Sequence, residues 1–242
     1  MAYATRLSWY RFGTVALTAF LGATAVAASA QAPQRRGPRV DMQTVADSLG
    51  VQCEYCHGPG QVTDAGRPRL EVAREMIDMT LDLNTRVQFV TGKSAADAVK
   101  VDCATCHRGV AVPKPLRDVV LDAALRQGPD AAAKSYRDLR AKYFGSQSYD
   151  FSEQTLLTVA ERLTQTRPDA AIAMAELNIE FYPASWRSYL AKGIAQSRRL
   201  DMTPDAVASF RKALEIDPNN GIVQGWLAQT EPLARRVRQT NP

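Results

Sequence analysis

Apolar residues recur along much of this chain at helical intervals. Met42, Val45, Ala46 and Leu49 fall at i, i+3, i+4 and i+7, which is one face of a helix from Asp41 to Leu49. Gly50 follows as its cap and turn. A second helix is predicted from about Leu70 to Asn84, with Val72, Ala73, Met76, Met79, Thr80 and Leu83 on a shared face. The polar run Thr91-Gly92-Lys93-Ser94 reads as a loop. Beyond Pro115 the pattern stays helical, with breaks at Gly128-Pro129, Gly145, Arg167-Pro168, Pro183 and Pro218. A helical pair is expected from Leu116 to Phe144, and a closing helix from Ile222 to Val237. The predicted fold class is all-α.

The first thirty residues have a different character. Arg6 and Arg11 precede a run rich in small apolar residues from Gly13 to Ala27, and Ala28-Ser29-Ala30 has the small-x-small form of a cleavage site. Residues 1–30 are therefore expected to be an export signal cleaved after Ala30, which places the protein in the periplasm. The run is short for a permanent membrane span, with an uncleaved anchor as the alternative. No cysteine stands at the cleavage site, which argues against a lipoprotein anchor.

All four cysteines and both histidines of the chain lie in two short motifs. These are Cys53-Glu54-Tyr55-Cys56-His57 and Cys103-Ala104-Thr105-Cys106-His107. Cys-x-x-Cys-His is the attachment signature of c-type haem. Cysteines at i and i+3 share one side of a helical turn and reach two vinyl groups of one macrocycle. The adjacent histidine reaches the iron as proximal ligand. Zinc binding and a redox disulfide are the other uses of such spacing. Two identical copies, with no cysteine or histidine to spare, fit them poorly. Two covalently bound haem c groups are the expected cofactors, on Cys53, Cys56, Cys103 and Cys106, with iron bound by His57 and His107.

With no histidine left over, a protein sixth ligand must be another residue, and methionine is the usual one in cytochromes c. Met42, Met76 and Met79 lie on helices leading into the motifs, and filling a core is the other common use of methionine.

A family resemblance rests on these residues. The run from Met42 through Leu49-Gly50-Val51-Gln52 to His57 resembles a haem-binding segment of the photosynthetic reaction centre cytochrome c subunit. So does Ala73-Arg74-Glu75-Met76-Ile77-Asp78-Met79 with Leu83-Asn84, followed by Val101-Asp102, the second motif, Arg108-Gly109 and Pro113. The resemblance covers about residues 40–115. It implies a helix along each haem and a methionine from that helix on the iron. By position, Met42 matches the ligand of the first haem and Met79 that of the second, with Met76 in reserve. The photosynthetic subunit typically carries four haems, so this chain resembles one half of it joined to something else.

That second part begins near Pro113-Lys114-Pro115. Pro183 and Pro218 are spaced close to the tetratricopeptide period. Leu190, Gly193, Ala206, Phe210, Ala213 and Pro218 fall near that repeat's consensus positions, with about one residue inserted around Asp201-Met202-Thr203. Ala171, Ala175, Asn178 and Pro183 take corresponding places in the preceding unit. The expected organisation is a signal at 1–30, a dihaem cytochrome c domain at 31–115, and a tetratricopeptide-like helical solenoid at 116–242.

Composition excludes other classes. The formal charge is +5, and loss of Arg6 and Arg11 with the signal lowers it by two. Haem propionates bring it closer to neutral, and no basic strip with interleaved aromatics suggests nucleic acid. No histidine is free for acid–base catalysis. The expected function is an electron carrier, not an enzyme. Its partners would be redox proteins or a membrane complex such as a reaction centre, with self-association through the repeats as a further expectation. The rivals are a dihaem peroxidase, a gas-binding sensor, or an assembly subunit.

Overall fold

The computed structural model describes residues 40–58 and 68–240, and every regular element among them is helical. The segment read as an export signal lies outside the described residues. No helix among those described is long and apolar enough to cross a membrane.

Helix α1 spans Met42–Leu49. Asp41 caps it by accepting hydrogen bonds from the Gln43 and Thr44 amides at 3.3 and 3.1 Å. Gly50 closes it at φ +64°, a left-handed conformation that glycine adopts without a Cβ penalty. Helix α2, Glu54–His57, is the single turn of the first cysteine motif. Helix α3 spans Pro68–Thr91 and is longer than the apolar stripe predicts. No breaker follows Asn84 until Gly92, so the helix runs on although Phe89 and Val90 are almost fully exposed. The second motif forms α4, Cys103–His107.

The rest is a series of helices joined by short connections. They are α5 (Leu116–Gln127), α6 (Pro129–Tyr143), α7 (Glu153–Leu163), α8 (Pro168–Phe181), α9 (Trp186–Ser197), α10 (Thr203–Ile216) and α11 (Gly221–Thr240). The breaks at Gly128, Pro183 and Pro218 fall between helices, and Pro168 opens α8. The extra residue near Asp201 is taken up by a 3-10 turn, Leu200–Met202, ahead of α10. From α5 on, each helix packs against its neighbour in sequence except α6 and α7, and α5 also packs on α7, α6 on α8, and α7 on α9.

The core sits almost entirely in this second part. One cluster centres on Tyr136, Leu156, Leu163 and Met174, and a smaller one on Phe210, Ala213 and Val223. Among the described residues before Leu116, only Ala46 is buried. Helices α1 to α4 therefore line clefts with their apolar side chains rather than meeting in a core of their own.

Candidate functional site

The left-handed Gly50 reverses the chain at the end of α1. The Val51 amide then donates to the Ala46 carbonyl at 3.1 Å, which carries Cys53 back toward α1. Met42, Val45 and Leu49 on α1 and Leu70, Ala73 and Ile77 on α3 wall a cleft of about 270 Å3 with Cys53, Cys56 and His57. Arg69 fastens α2 to the start of α3. Its guanidinium lies over the Tyr55 ring at 4.3 Å and donates to the Tyr55 carbonyl at 3.1 Å.

The second motif is held differently. Asp102 and Thr105 form a reciprocal capping box at the start of α4. The Thr105 hydroxyl and amide hold the Asp102 carboxyl below its ordinary value. The Asn84 amide of α3 bonds both the N–H and the carbonyl of Val101, just ahead of the motif. Cys103, Cys106 and His107 then open onto a cleft of about 500 Å3 walled by Val72, Met76, Met79 and Leu83 of α3. His107 Nδ1 lies 3.0 Å from the Val110 carbonyl, a contact in which the ring N–H donates. That bond leaves Nε2 as the ring nitrogen able to bind a metal. His57 Nδ1 is buried and has no partner among the described residues.

The two clefts adjoin. Val45, Leu49, Cys56, Ala73 and Ile77 line both. The ends of α1 and α4 also touch, since the Gly109 amide donates to the Ser48 carbonyl at 2.8 Å. The α6–α7 loop braces α4 from the other side, where Ser148 Oγ donates to the Arg108 carbonyl at 2.6 Å.

The donor set suits c-type haem. Each cleft joins a cysteine pair on one helical turn, a histidine and methionine sulfur on an apolar wall. The methionines divide clearly. Met174 is fully buried in the α5–α9 core, whereas Met42, Met76 and Met79 are 51, 43 and 46 % exposed and line the clefts. A core-filling role thus suits Met174 and not the other three. Met76 and Met79 share one cleft, so lining alone does not choose between them. No group of three His, Cys, Asp or Glu side chains among the described residues gathers as a zinc site requires.

Sequence reading found every cysteine, histidine and methionine of the clefts. It named Asn84 and Gly109 within the family motifs but not what they touch, and it missed Val110 and Ser148. The Asp102-x-x-Thr105 cap is legible as a local pattern, but the other contacts join distant segments.

Residues 39–163, slightly more than half the chain, match the family model described as the photosynthetic reaction centre cytochrome c subunit. The chain belongs to that family. The match runs from α1 through α7 and includes both clefts. The chain is 40% identical over 67 residues to the photosynthetic reaction center cytochrome c subunit of Roseobacter denitrificans, which covers 26% of this chain and 18% of that protein. It is 34% identical over 65 residues to cytochrome c-554 of Chloroflexus aurantiacus, covering 27% and 15%. The matched stretch thus spans less than a fifth of either relative. No solved structure matches. Family membership makes this a c-type cytochrome and implies covalently bound haem c.

Proposed function

We propose that this chain is an exported dihaem cytochrome that passes electrons between redox partners. The observation that carries the reading is the pairing of each Cys-x-x-Cys-His turn with its own methionine-bearing apolar cleft. Cys53 and Cys56 would hold one haem, with His57 and Met42 on its iron. Cys103 and Cys106 would hold the other, with His107 and Met79. A haem so held supplies an iron that gains and loses one electron. The cleft walls exclude water, and methionine sulfur raises the reduction potential. The adjoining walls favour exchange between the two sites.

The helices after Pro115 are read as a tetratricopeptide-like docking module on the haem domain of residues 31–115. Its support is a groove of about 380 Å3 between α7 and α9, floored by Leu157, Trp186, Leu190 and Ile194 and edged by Arg187 and Arg198. A soluble redox protein, a membrane complex such as a reaction centre, or a second copy of the chain are the partners such a module would serve. Export fits covalent haem attachment, so the periplasm is the proposed location.

Carbon monoxide tests the carrier reading against the enzyme and sensor readings. A site closed by histidine and methionine binds it slowly in the reduced state. Rapid, stoichiometric binding by undamaged protein overturns the carrier reading.

A further inference from the structure

The two motifs are tied to their helices at the same position by different chemistry. Val51 and Val101 each stand two residues ahead of the first cysteine. Val51 donates to the backbone carbonyl of Ala46, close enough in sequence for one helix end to make the bond. Val101 lies near the end of the connection of residues 92–102, and no backbone group at the end of α3 takes that role. Asn84 supplies it from a side chain. Its Oδ1 accepts from the Val101 amide at 2.9 Å, and its Nδ2 donates to the Val101 carbonyl at 2.7 Å. The second Nδ2 hydrogen goes to the Thr80 carbonyl at 2.8 Å, which locks the amide to its own helix.

We infer that Asn84 is the positioning residue of the second haem site, fixing the distance between the methionine-bearing face of α3 and Cys103. The inference rests on the haem reading above. Thr80, which anchors the amide, directly follows Met79. The clamp acts on the face of α3 that carries both Met76 and Met79. A clamp that only stabilised the fold would leave iron ligation unchanged when removed.

Asn84→Leu keeps the bulk and removes all three hydrogen bonds, and Asn84→Ala removes both. The test uses full-length protein matured with both haems. Mass spectrometry of the Cys103–Cys106 peptide first checks that haem is attached, and its failure there in the parent protein would count against the haem reading rather than against Asn84. In the variants, one haem is expected to lose much of its sulfur-to-iron charge-transfer absorbance, to fall in potential, and to bind carbon monoxide about tenfold faster or more, the ratio for loss of about one net hydrogen bond. The other haem should be unchanged. Two haems with parental potentials and parental carbon monoxide kinetics overturn the proposal, and so does an equal change in both. If neither variant folds, hydrogen exchange in the parent decides. The Val101 amide is expected to exchange at least about tenfold slower than a solvated amide. Unprotected exchange there overturns the clamp.

Discussion

Gly50 and Gly109 meet backbone to backbone. A Cβ built on Gly50 would stand 2.1 Å from the Gly109 carbonyl oxygen. The Gly109 amide meanwhile donates to Ser48. The end of α1 is thereby joined to the end of α4, and the two cysteine motifs are held in one frame. Gly50→Ala faces both a left-handed φ and a backbone clash, so it should cost about 2 kcal/mol or more. At Gly109 a Cβ would meet only Ser148 Oγ at 3.6 Å. Gly109→Ala should therefore cost only the conformational penalty, about 1 kcal/mol. Denaturant titration of the matured protein checks the order, and equal stability of Gly50→Ala and the parent contradicts it.

The methionines should separate by substitution. Met42→Ala is expected to open the first haem to carbon monoxide and lower its potential, and Met79→Ala to do the same for the second, because a sulfur ligand is lost. Met76→Ala should leave both ligations intact. Redox titration followed by absorbance reads each haem. A parental potential in Met79→Ala with a lowered one in Met76→Ala would transfer the role to Met76.

Acid should loosen α4 through Asp102. Hydrogen bonds from Thr105 hold its carboxyl below the ordinary value of 3.8. A carboxyl lowered on folding contributes stability that is full above that value and is lost as pH falls through the lower folded one. Asn is an equally good cap and does not titrate, so Asp102→Asn should keep the cap and lose that acid dependence. Asp102→Ala should cost about 1 kcal/mol at neutral pH. Stability measured across this range in parent and Asp102→Asn should diverge only at the acid end. Parallel curves would contradict the assignment.

In the second part of the chain, Gly193 packs under Phe210. A Cβ there would lie 2.4 Å from the ring, which is itself fully buried. Gly193→Ala should force α9 and α10 apart and cost about 1–3 kcal/mol. The haem spectra should stay as they were, and a stability unchanged by the substitution would contradict the packing argument.

Gly193 and Phe210 were each legible in the sequence near repeat consensus positions, although their contact was not. The α1 stripe and the Pro and Gly breaks were visible as well. The haem-attachment motifs were clearer still, since they consume every cysteine and histidine. What sequence did not reveal depends on contacts between distant segments. Asn84 was read as part of the Leu83-Asn84 motif, but not as a clamp, because its partner Val101 lies seventeen residues away. Gly50 was legible as a turn, but not as the place where Gly109 arrives. The predicted α3 ended too early because its last turn leaves Phe89 and Val90 exposed and so breaks the buried face the pattern follows.

Two thioether-bound haems are the centre of this account. Mass spectrometry of the natively matured protein, intact and after proteolysis, tests them most directly. The account expects two haems per chain, one on the peptide with Cys53 and Cys56 and one on that with Cys103 and Cys106, both retained after acidified organic solvent. Haem on one pair only, or haem lost to the solvent, would contradict it.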